Sequence, residues 1–292
     1  MNIQSKIKGA LYGFAIGDAM GATTEFMEEI EIKKVHGEVR DIIGGGWLNL
    51  KAGEVTDDTQ MTMCVCQAIE HANYSVFDDN EQITQDTEML DTCCSNFVKW
   101  YKSNPKDIGG TCRKVISQCS MLVCYESWQT YAEDSEALGN GSLMRTMPII
   151  LAGLSEDLAI SQGRLTHNNI ICDNAIKIYY REMEKLLYFN KHRQHAMALT
   201  EPTGHVLKTL NNALYWVQNS INLEEAIVNA VNHGGDADTI AAITGSMAGA
   251  LYGYEAIPQR WIEQLSPEVK ADLDKYAKLF EKINKKVCTN LE

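Results

Sequence analysis

Apolar side chains recur at three- and four-residue spacing along most of the chain. Ile7, Leu11, Phe14 and Ala15 share one helical face near the start, and Ile240, Ile243, Met247 and Leu251 share another near the end. Between them the same spacing predicts helices around residues 60–72, 84–103, 112–125, 155–164, 170–186, 204–219 and 223–231. Segments richer in glycine and polar residues separate these: "GGGWLNLKAGEV", "SNPKDIGG", "AEDSEALGNGS" and "NKHRQHAMALTEPTG". Five prolines and few alternating β-branched runs leave little room for a sheet, so the pattern predicts an all-α fold. No abrupt shift in composition divides the 292 residues, and a single compact multi-helix domain over 1–292 is expected.

Glycine adds a second pattern. Gly9, Gly13, Gly17 and Gly21 form a bare stripe on the first helix, and Gly245, Gly249 and Gly253 form another on the helix that follows "GGDADT". The two stripes share the pentapeptide "GALYG", which is too short to mark a duplicated domain. Bare faces let helices approach closely, so these two are expected to pack together at the centre.

Composition narrows the class of protein. Hydrophobic residues make up 45% of the chain, enough for a sizeable core, yet no apolar run has the length of a membrane span. Lys6 and Lys8 before an apolar segment resemble a signal peptide, but Asp18 interrupts that segment and the glycine stripe favours a core helix. Little precedes this helix, which leaves no obvious arm for blocking a partner. Nine cysteines without a CxxC pair or a zinc-type spacing read as reduced, mostly buried thiols in a cytoplasmic protein. A net charge of −13 disfavours a nucleic-acid partner and fits a protein or small-molecule substrate better.

Two acidic clusters carry candidate chemistry. "VTDDTQM" places Thr56, Asp57 and Asp58 at one helix start, and "HGGDADTIAAITG" places Asp236, Asp238 and Thr239 at another. Either alone reads as an ordinary acidic N-cap, stabilised by the helix dipole by about 0.3–1 kcal/mol. Brought together by the glycine-striped helices, four carboxylates would repel, and a divalent cation would remove that cost. Ligands that are all oxygen favour a hard ion: magnesium, manganese or calcium. Asp107 sits between a proline turn and two glycines, and Glu25 follows the first helix on a loop. "GNGSLMRTMP", with Gly139, Asn140, Gly141 and Ser142, offers backbone N–H groups and a hydroxyl of the kind that hold phosphate oxygens. "THNN" brings His167 to a further helix start, where capping alone would also account for it.

The order "GALYGFAIGDAMGATTEF", "GGGW", "VTDDTQM", "NPKDIGGTCR", "GNGSLMR", "THNN", "PTG" and "GGDADT" resembles the ADP-ribosylglycohydrolase family, from the first helix to about Trp261. Within it the chain is most similar to the dinitrogenase reductase-activating branch, which removes ADP-ribose from arginine. The resemblance implies an all-α fold with a cleft holding two divalent cations, Mg2+ or Mn2+. Their ligands would be Thr56, Asp57 and Asp58 on one side and Asp236, Asp238 and Thr239 on the other. It further implies Asp107 as the acid working on the ribose or a water, with Glu25 as its rival on a mobile loop. Gly139, Asn140, Gly141 and Ser142 would cradle the diphosphate, and His167 would lie toward the adenosine. The implied substrate is a protein mono-ADP-ribosylated on arginine. Other ADP-ribose linkages, serine-linked or O-acetyl, and a binding protein without turnover are the alternatives. Gly110 and Asn169 depart from the family pattern, which expects a polar residue at the first position and often a histidine at the second.

Overall fold

The computed structural model describes residues 2–74, 79–122, 124–189 and 198–290. The chain runs through α1 (Ile3–Gly21), α2 (Glu29–Val35), α3 (Asp57–Ala72), α4 (Asp79–Lys102), α5 (Gly110–Cys119), α6 (Tyr125–Tyr131), α7 (Met147–Leu151), α8 (Glu156–Gly163), α9 (Ile170–Phe189), α10 (Val206–Asn219), α11 (Leu223–His233), α12 (Ala237–Tyr252), α13 (Gln259–Gln264) and α14 (Pro267–Asn290). Among the described residues there are isolated β-bridges but no strand, so the all-α expectation holds. No helix of the described residues is long and apolar enough to cross a membrane.

Helices α1 and α12 form the centre. Both are buried nearly all round, which is where a helix that is apolar on every face must sit. They run antiparallel with their glycine stripes in contact: Gly9 lies against Gly249, Gly13 against Gly245 and Gly17 against Ala241. A Cβ added to Gly13 would stand 2.1 Å from the Gly245 carbonyl oxygen, so the backbones touch where any larger residue would part them. This pairing brings the C-terminal end of α1 to the N-terminal end of α12; Gly21 meets the Asp238 backbone.

Amphipathic helices pack around this pair. On α14, Leu273, Tyr276, Ala277, Phe280 and Ile283 turn inward at helical spacing, in a stretch beyond the last predicted helix. The helix expected over 112–125 ends early, at Cys119, and a separate helix, α6, follows from Tyr125. Ser117 and Ser120 turn their hydroxyls back onto the Lys114 and Ser117 carbonyls, competing with helix continuation. Leu122 N–H then closes a turn on Cys119, and α6 starts anew with the fully buried Trp128. Residue 123, within that stretch, and residues 190–197 of the expected 190–204 loop lie outside the described residues. The eight cysteines whose side chains are described form no disulfide, and seven of them are buried.

Candidate active site

The carboxylates gather where three helix ends meet. Thr56 caps α3: its Oγ1 accepts the Asp58 N–H at 3.3 Å, which sets Asp57 and Asp58 in the first turn. Asp18, from the last turns of α1, accepts the Thr56 N–H at 3.0 Å and the Thr59 N–H at 3.0 Å, so a buried carboxylate holds the start of α3 against the central helix. At α12, Gly234 (φ +76) and Gly235 (φ +63) turn the chain sharply and present Asp236 as the N-cap, with Asp238 in the first turn. The two acidic motifs touch directly, since Thr239 Oγ1 donates to Asp58 Oδ2 at 3.1 Å.

A cavity of about 240 Å³ opens over these ends, lined by Glu25, Asp57, Asp58, Asp107, Asp236, Asp238 and Thr239 together with Gly139, Asn140, Gly141 and His167. Eleven of the residues singled out from sequence therefore share one cavity. Thr56 and Ser142 do not line it. Thr56 serves as the α3 cap, and Ser142 is fully buried, its carbonyl accepting from Thr146 and Gln162. Gly110 lines the cavity, and an added Cβ there would meet nothing within 4 Å. Asn169 is spent on structure, donating to the Asp134 and Ser135 carbonyls.

Electrostatics at the cavity run one way. No Lys or Arg is among its described lining residues. Burial first, and then the neighbouring acids, raise the pKa of Asp57, Asp58 and Asp238 well above the carboxylate range. Burial pushes Asp236 up to about 6 and Glu25 up to about 8, the latter against a hydrogen bond from Trp47 Nε1. Ligand atoms of Glu25, Asp236 and Asp238 lie within 4.8 Å of one another, and Asp58 Oδ1 is buried without a hydrogen-bond partner. An all-oxygen set this crowded, with an orphaned buried oxygen, fits a hard divalent cation.

The opposite wall is built by one buried cation. Arg145 donates to the Gly141 carbonyl at 2.6 Å, to Gln162 Oε1 and to Thr166 Oγ1, fixing the turn Asn140–Ser142 from behind. Asn140 reaches across to donate to Asp236 Oδ2 at 2.5 Å, and its N–H donates to Gly204 O. His167 packs beneath Gly139 and Gly141, 2% exposed, and burial with Arg145 nearby depresses its pKa to about 3, so its imidazole is neutral.

Sequence reasoning missed Asp18 as a part of this site, although a lone acid inside an apolar helix is itself a signal. It also passed over Phe26, Cys112, Met144 and Gly204, which line the cavity and lie inside the quoted motifs without having been singled out there.

The helical fold and the carboxylate-lined cavity at its centre can be set beside known proteins. The chain matches the ADP-ribosylglycohydrolase family over residues 1–180 and 171–287, and belongs to it. It is 30% identical over 293 residues to the ADP-ribosyl-[dinitrogen reductase] glycohydrolase of Rhodospirillum rubrum, covering 93% of this chain and 94% of that one. The ADP-ribosylarginine hydrolase Tri1 of Serratia proteamaculans is 33% identical over 295 residues, 89% of this chain and 75% of its own. The ADP-ribosylhydrolase ARH3 of Gallus gallus is 24% identical over 337 residues, 88% of each chain. A solved structure titled ADP-ribosylglycohydrolase-related protein complex superposes with a TM-score of 0.78 at 26% identity, covering 97% of this chain and 99% of that one.

Proposed function

We propose that the protein hydrolyses the N-glycosidic bond between ADP-ribose and an arginine guanidinium on a modified protein, with two divalent cations, Mg2+ or Mn2+, in the cleft. The observation that carries this reading is the meeting of Glu25, Asp57, Asp58, Asp107, Asp236 and Asp238 at one cavity whose described lining holds no cationic side chain. The similarity to the ADP-ribosylarginine hydrolase Tri1 supports the choice of linkage.

Asp57, Asp58, Asp236 and Asp238, with the hydroxyls of Thr56 and Thr239, would hold the cations. Once bound, these would supply Lewis-acid polarisation of the ribose hydroxyls and of an attacking water. The chain's own residues do the rest. Gly139, Asn140 and Gly141 offer the diphosphate a turn fixed from behind by Arg145, so the phosphates meet a preorganised backbone. Ser142 contributes to that turn through its backbone. Neutral His167 flanks the turn on the adenosine side and adds no charge there.

Asp107 and Glu25 are the two acids for proton transfer to the leaving guanidine nitrogen. Burial raises the pKa of both, so each holds a proton more readily than a solvated carboxylate. Asp107→Asn is expected to lower kcat by roughly 100-fold or more, and Glu25→Gln to do less. The reading is tested by following ADP-ribose release from arginine-linked, serine-linked and O-acetyl substrates side by side. Fastest release from arginine is expected; preference for either oxygen linkage would overturn it.

A further inference from the structure

Phe26 sits at φ +62, a backbone region that bulky residues rarely enter. Its N–H donates to the Gly235 carbonyl at 2.6 Å and the Gly235 N–H returns to Met27 O at 2.9 Å, so the residue after Glu25 is pinned to the turn that presents Asp236. The ring gains little burial from this, being 66% exposed, yet it lines the mouth of the acidic cavity. Against it lies Trp47, 53% exposed, with ring centroids 5.4 Å apart and planes tilted by 48°.

Trp47 arrives by way of a tight glycine turn. Gly44, Gly45 and Gly46 all have positive φ, and Gly46 rests so close to Ala22 that an added Cβ would stand 2.0 Å from its carbonyl oxygen. Thr23 Oγ1 fastens this turn by donating to Gly44 O at 3.1 Å. Two separate segments, one holding Phe26 at a φ that bulky residues rarely adopt and one turned by three glycines, thus converge on one exposed aromatic pair. Single exposed aromatics are ordinary on a surface, but backbone held in such regions clusters where it serves a site. Aromatic faces beside carboxylates suit a planar cation: the ring quadrupole attracts it, and a guanidinium can stack flat while keeping its edge donors for the acids.

Resting on the arginine-linked reading above, we propose that Phe26 and Trp47 form the subsite for the guanidinium of the modified arginine, the group that leaves as ADP-ribose stays in the cavity. Trp47 has a second part in it: its indole N–H donates to Glu25 Oε2 at 2.5 Å, so it positions that acid beside the guanidinium it helps to hold.

The test compares wild type with Phe26→Ala, Trp47→Leu and Trp47→Phe, measuring KM and kcat on ADP-ribosylarginine and, separately, the Kd for ADP-ribose, which lacks the guanidinium. Phe26→Ala and Trp47→Leu are expected to raise KM by roughly three- to thirtyfold while leaving the ADP-ribose Kd almost unchanged. Trp47→Phe keeps a ring and loses the N–H, and is expected to spare KM and lower kcat. An unchanged KM in Phe26→Ala and Trp47→Leu overturns the subsite, and an equal loss of ADP-ribose affinity overturns it in favour of a platform for the nucleobase. Agmatine titration separates this from the hydrolase reading, with the Trp47 indole signal in 15N spectra identified by its absence from Trp47→Phe. A wild type that does not turn over ADP-ribosylarginine overturns the hydrolase reading. A Trp47 signal that shifts with agmatine supports the subsite even then, and one that does not shift overturns it.

Discussion

Asp18 shows how much a single side chain can settle. Its carboxylate, fully buried, accepts two backbone N–H groups at the start of α3, the same start that carries Asp57 and Asp58. Asp18→Ala would strand both donors in the interior, and a loss of about 2–6 kcal/mol in chemical denaturation is expected, at roughly 1–3 kcal/mol for each unsatisfied group. His167 sets a pH dependence. Its folded pKa, about 3, lies below the ordinary 6.5, so between those values the unfolded chain binds the extra proton. The stability it contributes is complete above about pH 6.5 and falls away as pH drops toward 3, by at most about 1.4 kcal/mol per pH unit. The cleft carboxylates titrate with the opposite sign, so the check is the difference between wild type and His167→Gln in denaturant at pH 7 and pH 5. The wild type should lose more on acidification; equal losses would contradict a neutral buried imidazole. Asp238 and His167 were legible from sequence because motifs surrounded them, whereas Asp18 stood inside an apolar run and its partners were 38 and 41 residues away.

At the scale of elements, the glycine-striped pair α1 and α12 organises the molecule, and its close packing was legible because four-residue spacing is a property of the helix itself. Gly13→Ala would drive a methyl into the Gly245 carbonyl, and a destabilisation of roughly 3 kcal/mol is expected from overpacking. Gly110→Ala is the control: with an ordinary φ and open space around its Cβ, it should raise stability by up to about 1 kcal/mol. Equal effects in thermal or urea unfolding would refute the backbone contact. The early end of α5 was not legible, because the apolar spacing continues past Cys119. The spacing on α14 was there to be read; what sequence alone does not give is that this helix packs against α1.

For the molecule as a whole, the chain's own carboxylates point to one requirement: negative charge must be balanced. The two acidic motifs were legible as a pair only because the central helices imply that their ends meet, while the contributions of Trp47 and Phe26 depend on backbone conformations that sequence does not display. Mg2+ or Mn2+ binding to the folded state alone should raise the melting temperature, and EDTA should reverse the rise. Asp238→Ala removes one of the crowded cleft carboxyls, so this variant should gain less stability from the metal than wild type does. The measurement that bears most directly on the central claim is ADP-ribose release from an arginine-ADP-ribosylated protein with Mn2+, with Mg2+ and with EDTA, run beside Asp238→Ala whose helical circular dichroism matches wild type. The account predicts release that requires the metal and is abolished in the folded variant. Release that persists in EDTA, or at wild-type rate in Asp238→Ala, would contradict it.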